Sequence, residues 1–342
     1  GGTLRVADIS NPETPQVVGG VALPATYPQS TADSGGSAYD PDSEAGLRIV
    51  DVSDPTAPVE VGFLDTQGRA IGVAVVGEYA YVADGFAGLR VVDISTPSAP
   101  VEVGFYDTPG FAGGVAVAGA YAYVADTEAG LRVIDISTPS QPVEVGSVDT
   151  PGEAYALALA GGYAYVADYD AGLRVIDIST PSQPAEVGSL DTPGAAWSVA
   201  VVGEYAYVAD ETEGLRVIDI STPSQPVEVG SIDTPGTAYS VAVAGGYSYV
   251  ADWEHGLRVI DVSTPATPVD AGVVVTPGSA DGLAVEGSYA YVGFYPTGFR
   301  VVNIAAPANP IEVGFVDTQD YAYDVASAGS YAYVAAYNAG LR

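Results

Sequence analysis

The sequence predicts an all-β chain folded as an eight-bladed β-propeller of four-stranded antiparallel blades. Two observations carry that expectation. A 42-residue unit recurs along nearly the whole chain, and self-similarity at roughly 40 to 50 residues with four short strands per unit is the mark of a propeller blade. The strands of the unit also lack a polar face, so each sheet must be covered on both sides.

The period is counted on the arginines that follow Gly-Leu, Gly-Phe or Thr-Leu: Arg5, Arg48, Arg90, Arg132, Arg174, Arg216, Arg258, Arg300 and Arg342. Seven of the eight gaps are 42 residues and the first is 43. One domain, 1–342, is expected. Residues 1–22 match the third and fourth strands of the unit and 321–342 its first two, so both ends are expected to share one blade and close the ring. Residues 24–64 and 279–316 are divergent copies, and 67–274 holds the regular ones.

The unit is cleanest at 153–194. Residues 154–160 alternate large and small, Tyr155, Leu157 and Leu159 against Ala156, Ala158 and Ala160, which at period two is a strand. Gly161 and Gly162 supply a tight hairpin turn. Residues 163–168 are rich in the aromatic and β-branched types that suit a pleated surface. Residues 173–179 form a third strand ended by Thr180 and Pro181, and Pro184 opens a fourth at 185–190, where a missing N–H is tolerated. In 24–45 the pattern is eroded. Pro41 stands at the position of Ala167 and Asp40 at that of Val166, so this half-blade is expected to be a loop or an edge.

The repeated GLRVIDIS and GLRVVDIS, with STPSQP and VEVG after them, resemble the LVIVD repeat of bacterial and archaeal surface proteins. The YVAD hairpin is also similar to NHL and YVTN blades. The resemblance implies a propeller with 154–160 innermost and 185–190 outermost, and it implies export to the cell surface. It brings no catalytic motif with it, since propellers host many unrelated activities.

The chain has 342 residues without Cys, Met or Lys, so disulfides, thiol chemistry and Schiff-base lysine are excluded. The missing Met implies a processed chain, and no signal peptide or membrane-length apolar stretch is seen. A formal charge of −33 repels nucleic-acid phosphates and anionic membranes, so neither nucleic-acid binding nor membrane insertion is expected.

Alternate turns of a blade share one end of the sheet. Asp84, Asp126, Asp168, Asp210 and Asp252 should therefore gather on one face with the DTPG aspartates Asp107, Asp149, Asp191 and Asp233. Two readings stand for this acidic face. Each Asp holds a turn or pairs with the recurring Arg, or the ring binds Ca²⁺ or another hard divalent cation. The local metal candidates are Asp40, Asp42 and Glu44, three carboxylates at alternate positions. No other cofactor is implied. Trp197 and Trp253, the only two tryptophans, and His255, the only histidine, are placed on the same face as ligand-binding candidates. Aromatic rings beside carboxylates suit a glycan or an amine. Phe294 and Tyr295 replace an acidic loop and are read as a contact surface.

One His, no Cys and no nucleophile elbow leave only abundant carboxylate pairs such as Glu211 with Glu213 for acid–base work, so no enzyme is expected. The sequence is read as an extracellular, cell-surface structural or protein-interaction module. Its partners are proteins, copies of itself included, with head-to-tail exchange of the terminal strand pair as the route to filaments. The alternative is a carbohydrate- or cation-binding propeller using the acidic, aromatic loop face.

Overall fold

The computed structural model describes residues 3–10, 16–22, 32–34, 37–41, 46–51, 53, 59–275, 278–295, 298–316, 322–328 and 331–336. These residues form eight four-stranded antiparallel sheets. Seven of them are built from one continuous stretch of chain each: blade 1 (32–64), blade 2 (72–106), blade 3 (114–148), blade 4 (156–190), blade 5 (196–232), blade 6 (240–274) and blade 7 (279–316). The remaining sheet is assembled from both ends of the chain, in the order Gln16–Ala22, Thr3–Asp8, Tyr331–Ala336, Ala322–Ala328.

Blade 4 shows how the unit folds. Ala156–Ala160, Tyr163–Ala167, Leu173–Asp177 and Ala185–Leu190 pair in sequence order. Gly161 and Gly162 turn the first hairpin with φ of 58° and 85°, the doubly positive geometry of a tight two-residue loop. The two middle strands are buried on both faces apart from their outer ends, while the fourth is half exposed. Asp177 closes the third strand by accepting a hydrogen bond from the Ser179 N–H at 2.8 Å, an Asx turn.

Stacking covers the apolar faces. Tyr165, Ala167, Leu173 and Val175 of blade 4 pack on Ala196, Ala206, Val208 and Ile218 of blade 5, and all are buried. The same core recurs between blades 1 and 2, 2 and 3, 3 and 4, 5 and 6, and 6 and 7. First strands touch first strands of neighbouring blades, so they lie nearest the axis. Small residues suit that crowding, and Ala156, Ala158 and Ala160 face blade 5. The terminal sheet fills the gap between blades 7 and 1. Ala7, Ile9 and Ala322 pack on Tyr291 and Val301, and Ala322–Ala328 meets Ala32–Ser34 on the other side. Its two halves are joined by pairing from Thr3↔Ala336 to Asp8↔Tyr331. Among the described residues no helix is long and apolar enough to cross a membrane.

Two sequence expectations are corrected here. In the eroded copy, expected to be a loop or an edge, the described residues form strands of blade 1, Ala32–Ser34 at the edge of the sheet and Ser37–Pro41 inside it, where a proline was not expected. The proline is tolerated because of where its missing N–H falls. At the next position in the regular blades the N–H points to the third strand, Asp168 N–H to Gly172 O at 2.8 Å, so by alternation that of residue 41 points to the first. Among the described residues the last pair on that side is Ala32↔Tyr39, so none of the described rungs calls on an N–H at residue 41. The second correction is Phe294. It is fully buried rather than a contact surface, packed with Ala290, Val292 and Val302. Its position is occupied in blades 2 to 6 by an aspartate that is also 0% exposed. The end of the second strand faces inward in blades 2 to 7, so an apolar ring there fills the core.

Phe294→Ala is expected to cost about 3–5 kcal/mol through the cavity it leaves, and Phe294→Leu under about 2 kcal/mol. Urea denaturation of both variants checks this, and a cost below about 1 kcal/mol for Phe294→Ala would return the ring to the surface.

Candidate functional site

The face that carries the turns between second and third strands divides into a constant and a variable part. The constant part is built on Asp168 and its equivalents. Asp168 is 0% exposed and accepts hydrogen bonds from Thr150 Oγ1 at 2.5 Å and from the Gly152 N–H at 2.9 Å. Both partners belong to the connection arriving from blade 3. The arrangement recurs at Asp84 with Thr66 and Gly68, Asp126 with Thr108 and Gly110, Asp210 with Thr192 and Gly194, and Asp252 with Thr234 and Gly236. Gly152 is needed for this approach, because a Cβ there would strike the Asp168 carbonyl. Burial pushes the carboxyls of Asp84, Asp126 and Asp168 upward, opposed by the Thr and Gly hydrogen bonds and by the arginine.

That arginine completes the unit. Arg174 places Nε 3.5 Å from Asp168, and Nη2 donates to Asp191 at 2.7 Å and to the Ala171 carbonyl at 2.6 Å. Glu186 lies 3.8 Å from Nη1. Of the two readings of the acidic face, the turn-holding one is therefore what Asp84, Asp126, Asp168, Asp210 and Asp252 do. The DTPG aspartates stay exposed, Asp191 at 78%.

The variable part emerges when the copies are read as columns. One column follows the buried aspartate: Gly85, Thr127, Tyr169, Glu211 and Trp253. All five have positive φ, 58°, 38°, 48°, 49° and 40°, and each bridges to the next blade at Ala112, Ala154, Ala196, Ala238 or Ala280. The alanine never varies, while the bridging residue differs in every one of these copies. The next residue along the bridged strand varies too: Gly113, Tyr155, Trp197, Tyr239 and Asp281. So does the one after the bridging residue: Phe86, Glu128, Asp170, Thr212 and Glu254.

These columns meet around the axis. Tyr155 stacks on Trp197 with centroids 4.8 Å apart, and Tyr169 stands edge-on to both at 5.5 and 5.3 Å. Trp197 continues to Tyr239 at 5.4 Å, and Tyr239 to Trp253 at 5.0 Å. Five rings thus form one arc over blades 4 to 6. Carboxylates flank it. Glu153 accepts a hydrogen bond from the Tyr155 hydroxyl at 2.7 Å, and burial together with that carboxylate raises the Tyr155 phenol far above its ordinary value. Burial raises the Tyr239 phenol as well, helped by the charges of Asp281 and Glu211. Asp281 itself is pushed up to about 6 by burial. A cleft of about 360 Å³ opens between blades 3 and 4, lined by Glu128, Thr150, Pro151, Gly152, Glu153, Tyr169 and Asp170.

Of the residues singled out in the sequence, Trp197 and Trp253 lie in the arc, joined through Tyr239. His255 closes the same turn as Trp253, its N–H donating to the Asp252 carbonyl at 2.8 Å. Tyr295 pairs with Ser279 in the first hairpin of blade 7. Asp40 is buried in Ser37–Pro41 with Arg48 as its register partner, and Asp42 and Glu44 lie outside the described residues. Among the described residues no group of three or more His, Asp or Glu is placed to hold a metal ion. Tyr155, Tyr169, Tyr239 and Asp281 were missed in the sequence, although comparing the copies column by column would have found them.

Comparison with known proteins follows the same division of the chain. The LVIVD repeat model matches residues 27–66, 67–108, 109–150, 151–192, 193–234, 235–276 and 277–318. The chain belongs to the LVIVD-repeat family. The matches number seven and coincide one to one with blades 1 to 7, which corrects the expected eight-bladed propeller to one of seven LVIVD blades. The terminal sheet lies outside every matched repeat, because each end of the chain carries only half a unit. No curated protein matches. Similar solved structures include the computationally designed Ika8 protein, at TM-score 0.76 and 12% identity over 92% of this chain and 94% of that one. BamB from Moraxella catarrhalis is similar at TM-score 0.65 and 14% identity, covering 92% and 95%. Sqt1 from Saccharomyces cerevisiae is similar at 0.73 and 8%, covering 92% and 97%. At these identities the likeness is one of fold.

Asp281 gives the site a pH signature. Its carboxyl ionises near pH 6 in the folded chain and near 4 when unfolded. The group therefore adds stability below about pH 4 that is lost as pH rises through about 6, a difference of about 2–3 kcal/mol. Asp281→Asn is expected to raise Tm at roughly pH 8 and to leave it unchanged at roughly pH 3.5. Melting curves at both values decide it, since an equal shift at each would remove the carboxylate as the cause.

Proposed function

We propose that the chain is a non-enzymatic protein-interaction module displayed outside the cell, with the variable loop face as its working surface. One observation carries this reading. In copies otherwise alike along their third strands, the residues that differ most are gathered on one face, around the axis. A ring needs its repeated residues for closure, and residues free of that duty are where binding specificity sits on repeat folds. The side chains at the bridging column support the same view. Thr127, Tyr169, Glu211 and Trp253 hold a left-handed backbone that Gly85 adopts freely, at about 1–2 kcal/mol each. A net charge of −33 suits a protein exposed to solvent or salt.

Head-to-tail self-assembly is a second reading, favoured by the terminal sheet. The rungs between Thr3–Asp8 and Tyr331–Ala336 join two halves that are covalently linked only through the rest of the ring. The same rungs made between two chains would polymerise them without a new surface.

Display is tested by labelling intact cells with an antibody to the folded ring. Labelling before lysis is the expected result, and labelling only after lysis would overturn it. Sedimentation over a concentration series separates the second reading: growing polymers that vanish on deletion of residues 1–22 support exchange, and a monomer throughout removes it.

A further inference from the structure

The aromatic arc has a chemistry more specific than a general contact face. We infer that it captures arginine side chains on an exposed, extended segment of a partner protein, an inference that rests on the loop face being the working surface. Three features of the arc lead there.

The first is what the arc offers. Its rings are contiguous from Tyr155 to Trp253, and the π face of Trp or Tyr attracts a cation by about 0.5–2 kcal/mol. The charged groups named beside the rings are all carboxylates, and among the described residues the one buried donor left without a partner in the arc is the Trp197 indole N–H. Glu128, Glu153 and Asp170 line the cleft next to Tyr169, and Glu211 and Asp281 act on Tyr239. The Tyr155 hydroxyl already donates to Glu153. A ligand must therefore bring donors and positive charge, which a guanidinium does with five N–H groups and a flat face that stacks on rings.

The second is what the chain withholds. The arginines of blades 2 to 6 are each committed to carboxylates of their own blade: Arg132 to Asp149, Arg174 to Asp191, Arg216 to Asp233, and Arg90 and Arg258 likewise. The negative potential over the arc is left for a partner, and a net charge of −33 steers basic segments toward it. A bare divalent ion is a poor fit, because among the described residues no three carboxylates converge. The third feature is size. A cleft of about 360 Å³ admits a side-chain head group, and an arc spanning three successive blades matches an extended segment better than a single small amine.

The chain carries its own reporter. Its only two tryptophans, Trp197 and Trp253, both lie in the arc, so intrinsic Trp emission reads this site alone. The probe is a hexa-arginine peptide titrated into the full chain, with hexa-glutamine and a neutral hexasaccharide alongside. Saturable change in Trp emission is expected with the arginine peptide, weakening as salt rises. Glu153→Gln combined with Asp170→Asn should weaken binding about tenfold, and Tyr155→Ala by a similar factor. Glu78→Gln combined with Glu204→Gln removes the same charge from hairpins at the opposite end of the sheets and should change affinity less than about twofold. Melting curves of each variant confirm the ring is intact. The inference is overturned by absence of saturable binding, by equal loss in both charge pairs, or by preference for the hexasaccharide. Failure here leaves the displayed-module reading standing, since antibody access to intact cells tests that separately.

Discussion

The ring depends on one buried carboxylate per regular blade. Stacking of two-sided apolar sheets supplies most of the buried area, but apolar contact is non-directional and does not fix how one blade sits on the next. Asp168 does. Its carboxylate receives Thr150 and Gly152 from the connection that leaves blade 3, while the backbone of Tyr169, one residue later, exchanges hydrogen bonds with Ala196 at the start of blade 5. One turn thus ties three successive blades. Arg174 stands beside it and neutralises a charge that water cannot reach. Removing Arg174 would leave the buried Asp168 carboxylate with only the Thr150 and Gly152 hydrogen bonds to offset its burial.

This division of duties explains where variation is permitted. The buried aspartate, the bridged alanine and the arginine repeat because each makes contacts that close the ring. The bridge is made by backbone in all five copies, so the ring does not dictate which side chain stands there; Thr127, for one, uses its hydroxyl to accept from the Phe111 N–H. Gly, Thr, Tyr, Glu and Trp all serve at that position. Where the ring asks nothing of a side chain, its chemistry is available to a partner, and five rings with flanking carboxylates are what that freedom has produced over blades 4 to 6.

The period, the four strands and their order were legible because they depend on local pattern: the alternation in 156–160, the Gly161–Gly162 turn and the prolines before 185–190. What depends on a neighbour was not. Asp168 showed its charge but not Thr150, so an inward carboxylate was counted with an acidic surface. Phe294 looked exposed because it replaces that same aspartate. Pro41 looked incompatible with a sheet because which neighbouring strand its missing N–H would face is not written around the proline itself. Trp197 and Trp253 stood out as rare residues, whereas Tyr155, Tyr169 and Tyr239 were hidden among the many tyrosines of the repeat.

A double-mutant cycle on Asp168 and Thr150 tests the shared stitch most directly. Asp168→Ala, Thr150→Val and the double variant are unfolded in urea and their stabilities compared. The stitch predicts a coupling of about 1–3 kcal/mol, because the hydroxyl and the carboxylate join separate blades through one buried hydrogen bond. Additive losses, with coupling below about 0.3 kcal/mol, would mean that blade registration rests on apolar stacking alone.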